Sequence, residues 1–308
     1  MKFSKYYLLI TLLFLPYGSV WASAKMELQQ LTDNVYAIVG ELGNRSPGNL
    51  GNNATFGFVV TAAGVVLIDS GGTYRGARQI DDMIKQVTDQ PVVRVINTGG
   101  QDHRWLGNGY FKQLGARIIA SEKSVADQQQ RSRDQFILLS NLVGDEGVQG
   151  TEAVHADQSF ATEFEFTLGG TRFEIRHSGQ AHTPGDSYVW LPQEKIMFSG
   201  DIVYVERMLG VGAQSNSKSW IEAFAAMAAY QPEQLVPGHG RATTLNHARQ
   251  DTLGYLVFLR SAVAEFMDSG GDISDIGSLD QSGYHYLLNH DTLAGRNAQQ
   301  VFTEMEWE

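Results

Sequence analysis

The sequence predicts an α/β fold of two halves, each running strands into helices, and three observations carry that prediction. Short apolar runs bounded by polar or glycine-rich turns recur along the chain. The plainest pair is Tyr188-Val189-Trp190-Leu191 and, after the turn Gln193-Glu194-Lys195, Ile196-Met197-Phe198, which has the length and punctuation of two strands. Helical stretches follow such runs in both halves, the order expected of layered α/β domains. Histidine and aspartate stand where runs begin or end: His182 on the loop entering this hairpin, Asp201 on the loop leaving it, and His239 after the run Gln234-Leu235-Val236. Imidazole and carboxylate presented from adjacent strand ends are what a small metal site needs.

Taken in order, the chain opens with an expected strand at residues 31–39 and a Gly- and Asn-rich loop at 40–53 containing Pro47. Strands at 55–60 and 65–68, joined by a turn at Ala62-Ala63-Gly64, lead to Asp69-Ser70-Gly71-Gly72, whose glycines let the chain turn into a helix at 74–87. A strand of parallel type at 92–96 ends at Asn97-Thr98, and the loop Gly99-Gly100-Gln101-Asp102-His103-Arg104-Trp105-Leu106-Gly107-Asn108 follows. A helix at 109–114, a strand at 117–120 and a helix at 121–142 complete the first half. The Gly-containing stretch 143–150 is a candidate boundary between halves at roughly 25–145 and 150–270. The second half begins with strands at 163–168 and 171–177 around a Gly169-Gly170 turn, then the hairpin above. A loop at 208–217 precedes a helix at 220–230, and a long helix runs from 244 to about 267 after His239. The tail, 272–308, carries a helix near its end and no recognisable chemistry.

With 308 residues, 43% of them hydrophobic, the chain is long enough to bury a large core. A net charge of −11 and the lack of any Lys/Arg cluster argue against nucleic acid as a partner. There is no cysteine, which excludes disulfides and thiolate ligands, so any metal must be held by histidine and carboxylate, a set suited to zinc, iron or manganese. Residues 1–24 read as a signal peptide: Lys2 and Lys5, an apolar core at 8–15, and a small-residue cleavage site at Ala22-Ser23-Ala24. The apolar core is too short to span a bilayer comfortably. A periplasmic or secreted product, free of the membrane after cleavage and acting on a small molecule, is the expectation.

Three motifs occur in sequence: His182 before Thr183-Pro184-Gly185-Asp186, then Gly200-Asp201, then Pro237-Gly238-His239-Gly240. Together they resemble the later motifs of the metallo-β-lactamase-fold superfamily. The resemblance implies a four-layer αβ/βα sandwich, residues 25–308 forming one such domain, and a metallo-hydrolase. It implies that Asp69, where the family has I-D-x-G, orients the metal loop by hydrogen bonding rather than binding the ion; a helix-capping Asp is compatible with that role. It also raises the prospect that the 40–53 loop overhangs the active site, the alternative being a plain hairpin connection.

Against the family motif T-H-x-H-x-D-H-x-x-G-N, residues 98–108 keep the length and both flanks but not the ligands. In strict register the first two His positions are Gly99 and Gln101, the Asp position is His103 and the last His position is Arg104. A slip by one residue would make Asp102-His103 the D-H pair, at the cost of an insertion before Gly107. Neither register recovers the first two histidines. What remains is His182, Asp201, His239 and one or both of Asp102 and His103. That set can hold a single zinc tetrahedrally with an open position, or a single iron, but not a two-metal clamp. His103 is open to three roles: ligand, general acid/base or structural residue. Arg104, if it faces the cavity, is a fixed positive charge that could bind a substrate carboxylate through its fork, and Gln101 is a possible substrate or water contact. His155, His177, His247, His285 and His290 lack ligand spacing or a family match and read as surface or hydrogen-bonded residues.

Three functions follow from these residues. In a metal-dependent hydrolase of a small ester, amide or lactam, one ion activates water while His103 or Asp102 positions that water or protonates the leaving group. In a mononuclear-iron sulfur oxidoreductase, His182 and Asp201 with another histidine hold the iron. In a non-catalytic binding protein the metal is lost and the pocket kept. Hydrolysis ranks first.

Overall fold

The computed structural model describes residues 26–308, so the signal peptide expected at 1–24 lies outside the described residues. Seven strands form one mixed sheet in chain order: β1 (Glu27–Gln30), β2 (Val35–Val39), β3 (Thr55–Thr61), β4 (Gly64–Ile68), β5 (Val92–Asn97), β6 (Arg117–Ser121) and β7 (Gln158–Phe160). The second sheet has five strands, ordered β12 (Gln234–Val236), β11 (Ile196–Phe198), β10 (Tyr188–Leu191), β9 (Thr171–Arg176) and β8 (Glu163–Leu168). Strands β4 to β7 run parallel to one another, as do β11 and β12.

Side chains on successive strand residues point to opposite faces, and that alternation builds the layers. Val35 and Ala37 of β2, Val66 and Ile68 of β4, and Val189 and Leu191 of β10 share one core between the sheets, together with Phe173, Phe198 and Val236. Their neighbours Tyr36, Ile38, Val65 and Leu67 face outward from the first sheet onto α1 (Tyr74–Ile84), through Ala77, Ile80 and Ile84. Between α1 and β7 lie α2 (Asp102–Trp105), α3 (Asn108–Gln113) and α4 (Glu122–Val148). On the second sheet Tyr188, Trp190 and Met197 pack beneath α5 (Ser217–Ala228) by way of Trp220 and Phe224. After α6 (Leu245–Ala248), α7 (Gly254–Asp268) covers the same face with Tyr255, Leu256 and Leu259, and α8 (His290–Met305) adds Ala298 and Val301. The result is the four-layer αβ/βα sandwich. Among the described residues no helix is long and apolar enough to cross a membrane.

Three local expectations change. The strand expected at 31–39 is shorter, β2 alone, and residues 31–34 are the turn of a hairpin with the upstream β1, where the Thr32 hydroxyl accepts from the Val35 amide. The 143–150 stretch is not a break between sheets: α4 passes through it with a kink where Gly144 takes φ +79°, and β7 still joins the first sheet beyond it. The long helix after His239 is interrupted by a π-turn, Arg249–Leu253. That turn aims Asp251 at the Glu206 amide (3.0 Å) and the Tyr286 hydroxyl (2.9 Å), and Thr252 at the backbone of Tyr204.

The sheets pack tightly at Gly57 on β3, where a Cβ would overlap the Phe198 ring of β11. Gly57→Ala is therefore expected to destabilise the protein by about 1–3 kcal/mol through overpacking, read as a lowered denaturant midpoint with an unchanged slope. An unaltered midpoint would show that the two sheets can part without cost.

Candidate metal and substrate site

Five strand ends meet at one edge of the sandwich. Asp69 follows β4, Thr98 follows β5, Asp201 follows β11 and His239 follows β12, while β3 begins there with Thr55. The Thr55 amide donates to the Gly238 carbonyl (2.7 Å) and its hydroxyl to the Gly240 carbonyl (2.6 Å), sewing the sheets together at this edge. Crevices at the carboxyl ends of strands are the usual ligand sites of open α/β sheets.

The 98–108 loop leaves β5 with Thr98 fixed by Asp69, which accepts from its amide (2.7 Å) and its hydroxyl (2.8 Å). Asp69 itself takes φ +65° to make that turn. The chain then closes into α2, and it is His103 and Arg104, the residues that strict register puts at the Asp and last His positions, that reach Asp201. Gly99 and Gly100 carry no room for side chains: a Cβ on either would run into the carboxylate of Asp186 or of Asp127. The space of the first missing histidine has been filled.

Arg104 is fully buried. One Nη donates to Asp69 Oδ2 (2.9 Å) and the Thr55 carbonyl (3.0 Å), the other to Asp201 Oδ1 (2.6 Å) and the Gly238 carbonyl (2.8 Å). Four of its five donors are thus committed to the protein, and only Nε–H lacks a partner. The expected substrate fork is corrected by this geometry: Arg104 is an internal strut between the sheets. Asp102 is corrected as a proton donor. It is buried against Arg45 and the His103 amide, and although burial works to raise its pKa, Arg45 and His103 prevail and hold it below the usual carboxylate range. It is ionised, with Oδ2 unpartnered.

His103, Asp201 and His239 form a buried group whose ligand atoms all lie within 4.8 Å of one another and can hold a metal ion. His103 Nε2 stands 3.2 Å from Asp201 Oδ2, and His239 Nε2 3.3 Å from Asp201 Oδ1. Donors around a tetrahedral ion at bond lengths of about 2.0–2.2 Å lie roughly 3.3–3.6 Å apart; each histidine stands near that separation, but the two face different oxygens of Asp201, of which Oδ1 also accepts from Arg104. His239 is set for the role: Nδ1–H donates to the Asn53 carbonyl (2.8 Å) and the ring stacks on Tyr204 at 4.5 Å, which turns the Nε2 lone pair toward Asp201. Burial, then Arg207, hold His239 well below the ordinary histidine value, so it is neutral. Asp201 stays ionised because Arg104 and His103 overcome the penalty of burial. His103 needs one change, since Arg45 donates to its Nδ1 (2.7 Å), which leaves the proton on Nε2. It offers Nε2 to an ion only when Nδ1–H turns to Asp102, 3.3 Å away, and Asp102 Oδ2 is free to keep Arg45.

His182 stands outside this group. Its Nδ1–H donates to the Gly210 carbonyl (2.9 Å), the ring lies between Tyr204 and Trp220, and burial lowers it to about 4. Gln101 lies at the edge of the site with Oε1 unpartnered. The 40–53 loop does overhang the site: Gly43 O accepts from Asn53 and Arg207, and Arg45 descends onto Asp102 and His103. Arg45, Asn53, Tyr204 and Arg207 were not singled out by the sequence reading. Arg45 had a signal, as the one basic residue of that loop. Arg207 is buried beside His239, and among the described residues no carboxylate lies within ion-pair distance of it.

Replacing Arg104 by Leu leaves Asp69 and Asp201 buried and uncompensated, and is expected to cost about 3–5 kcal/mol of stability in chemical denaturation; a loss under 1 kcal/mol would contradict the strut. In metal-free protein the depressed His182 favours folding above its unfolded value near 6.5, and that contribution fades as pH falls toward about 4. His182→Asn should therefore flatten the fall in stability between those pH values, and a slope identical to the parent's would refute the assignment.

A sequence profile of the metallo-β-lactamase superfamily matches residues 51–239. The chain is 25% identical over 179 residues to "Metallo-beta-lactamase type 2" of Elizabethkingia meningoseptica, covering 58% of this chain but only 63% of that protein. It is 22% identical over 245 residues to "Metallo-beta-lactamase IND-1" of Chryseobacterium indologenes, covering 78% and 92%. Among solved structures, the metallo-β-lactamase from Pontibacter korlensis superposes with a TM-score of 0.61 at 24% identity over 76% of this chain and 99% of that one, a likeness of fold.

Proposed function

Because this chain belongs to the metallo-β-lactamase superfamily, we propose that it is an exported, metal-dependent hydrolase that opens a small anionic ester, amide or lactam at a single-ion site on His103, Asp201 and His239. The observation that carries this reading is the convergence of those three buried side chains, whose ligand atoms lie within 4.8 Å of one another. A bound ion would supply a Lewis acid that polarises the scissile carbonyl and makes water nucleophilic near neutral pH. Zinc suits two imidazoles and a carboxylate, and iron fits the same set. The names of the relatives put a lactam first among substrates, the acidic chain disfavours nucleic acid, and the composition of residues 1–24 supports export.

The chain's own groups orient the reaction. Asp201 cannot rotate, since Arg104 holds Oδ1 and leaves Oδ2 for the site. His239 is fixed from behind by Asn53 and Tyr204. Arg207, a buried cation with no carboxylate partner among the described residues, takes the anionic group of the substrate and places its carbonyl over the strand ends. The overhanging loop with Arg45 excludes bulk water, which strengthens each of these charges. A second reading, a binding protein without metal, is favoured by one contact, the donation from Arg45 to His103 Nδ1.

Metal content and turnover separate the two. In the hydrolase, the reconstituted mature protein hydrolyses carboxylate-bearing lactams or esters, chelation abolishes turnover, and Asp201→Asn or His239→Ala loses one ion equivalent and at least ~100-fold in kcat/KM. Arg207→Met is expected to raise KM for carboxylate substrates by about 10- to 100-fold, the loss of one charged hydrogen bond, while neutral analogues change little. Tight binding of the same substrates without turnover or bound metal would establish the second reading instead.

A further inference from the structure

We propose that His285, His290 and Asp291 form a second, solvent-facing site for a divalent transition-metal ion of the zinc class, separate from the strand-end site. Their ligand atoms all lie within 4.8 Å of one another, and the two imidazoles meet edge to face with centroids 4.0 Å apart. Sequence spacing hid the group, because His285 lies before the turn into α8 and the other two lie in its first residues. A shallow hollow of about 430 Å³, lined by residues 285–292, gives an ion access.

The hydrogen bonds fix how His290 sits in this group. His290 Nε2 lies 3.1 Å from the Gln281 carbonyl, which can only accept, so Nε2 carries the ring proton. Nδ1 stands 3.0 Å from Asp291 Oδ1, a separation that either a ring proton or a metal ion can bridge, and the neighbouring imidazole of His285 supplies a third donor for the ion. Two nitrogens and one carboxylate oxygen leave positions for water, the donor set of an exchangeable zinc, nickel or copper site rather than a calcium site. The Gln281 carbonyl behind His290 is the outer partner that fixes a ligating ring. The partial positive charge at the α8 N-terminus opposes a cation, and the Asp291 carboxylate offsets it.

The position of the site gives it a consequence. Between its ligands, Leu288 donates its amide to Glu206 O (3.0 Å) and accepts from the Met208 amide (2.9 Å), which brackets Arg207, and Asn289 donates to the Leu42 carbonyl of the overhanging loop (3.3 Å). An ion clamping His285 to α8 therefore ties down the segment that supports Arg207 and that loop.

The test uses the full mature protein, Zn²⁺ and Co²⁺ as probes, and the variants His285→Ala/His290→Ala and Asp291→Asn, whose fold is checked by circular dichroism. At pH 8 the parent should bind one equivalent more than the double variant, with at least tenfold weaker binding in Asp291→Asn. A Zn²⁺-induced rise in Tm should shrink in both, and His239→Ala should retain this equivalent while losing the other. Equal stoichiometry in parent and double variant would overturn the proposal, and so would failure of the parent to take up either ion here, since a second imidazole proton then accounts for the His290–Asp291 contact. The strand-end reading stands or falls separately, on the equivalent lost in His239→Ala.

Discussion

The corner where the two sheets meet depends on one guanidinium. Arg104 bonds to Asp69 beyond β4, to the first residue of β3, to Asp201 beyond β11 and to Gly238 beyond β12. Four strand ends from both sheets are referred to a single planar group. A buried pair of this kind is stable only when almost every donor is satisfied, and Arg104 leaves one N–H of five unmet. A lysine at the same place could not span these acceptors, because an ammonium is a point charge and not a fork.

That strut explains how the strand-end site differs from a two-ion cradle. Charge that would otherwise come from an ion is built into the chain, and the acidic groups are already answered: Asp69 and Asp201 by Arg104, Asp102 by Arg45. Opposite them, Gly99 and Gly100 let Asp186 and Asp127 crowd the loop. The strand-end group that could hold an ion is the one where Asp201 and two imidazoles converge, and Arg207 adds a cation that no carboxylate of the described chain answers. An anionic substrate would balance that charge.

Much of the architecture was legible from the residues. The hairpin around Gln193-Glu194-Lys195, the strands at Gly169-Gly170 and the three late motifs lie within a residue or two of their expected places, because turn chemistry and apolar runs are local signals. The first hairpin was missed because β1 lies upstream of the expected strand at 31–39, whose first residues form the turn that the Thr32 hydroxyl holds. In the site, Asp201 and His239 were legible through motif and strand-end position, and His103 only as a residue with three open roles. The placement of Arg104, the exclusion of His182 from the group and the roles of Arg45 and Arg207 were not. Each is decided by contacts between residues far apart in sequence, such as Arg104 with Gly238 or Arg45 with His103, and spacing carries no trace of those. The pairing of His285 with His290 was hidden in the same way by a turn of the chain.

The π-turn at Arg249–Leu253 has a consequence for how this region can vary. It accommodates one more residue than a regular helical turn while holding Asp251 and Thr252 against the segment Tyr204 to Glu206. Deleting a single residue there would let the turn close to regular α-helix with Tyr255, Leu256 and Leu259 still facing the second sheet, at the loss of the contacts made by Asp251 and Thr252. A deletion in the regular helix beyond it has no bulge to absorb it and would turn everything downstream by roughly 100° about the axis.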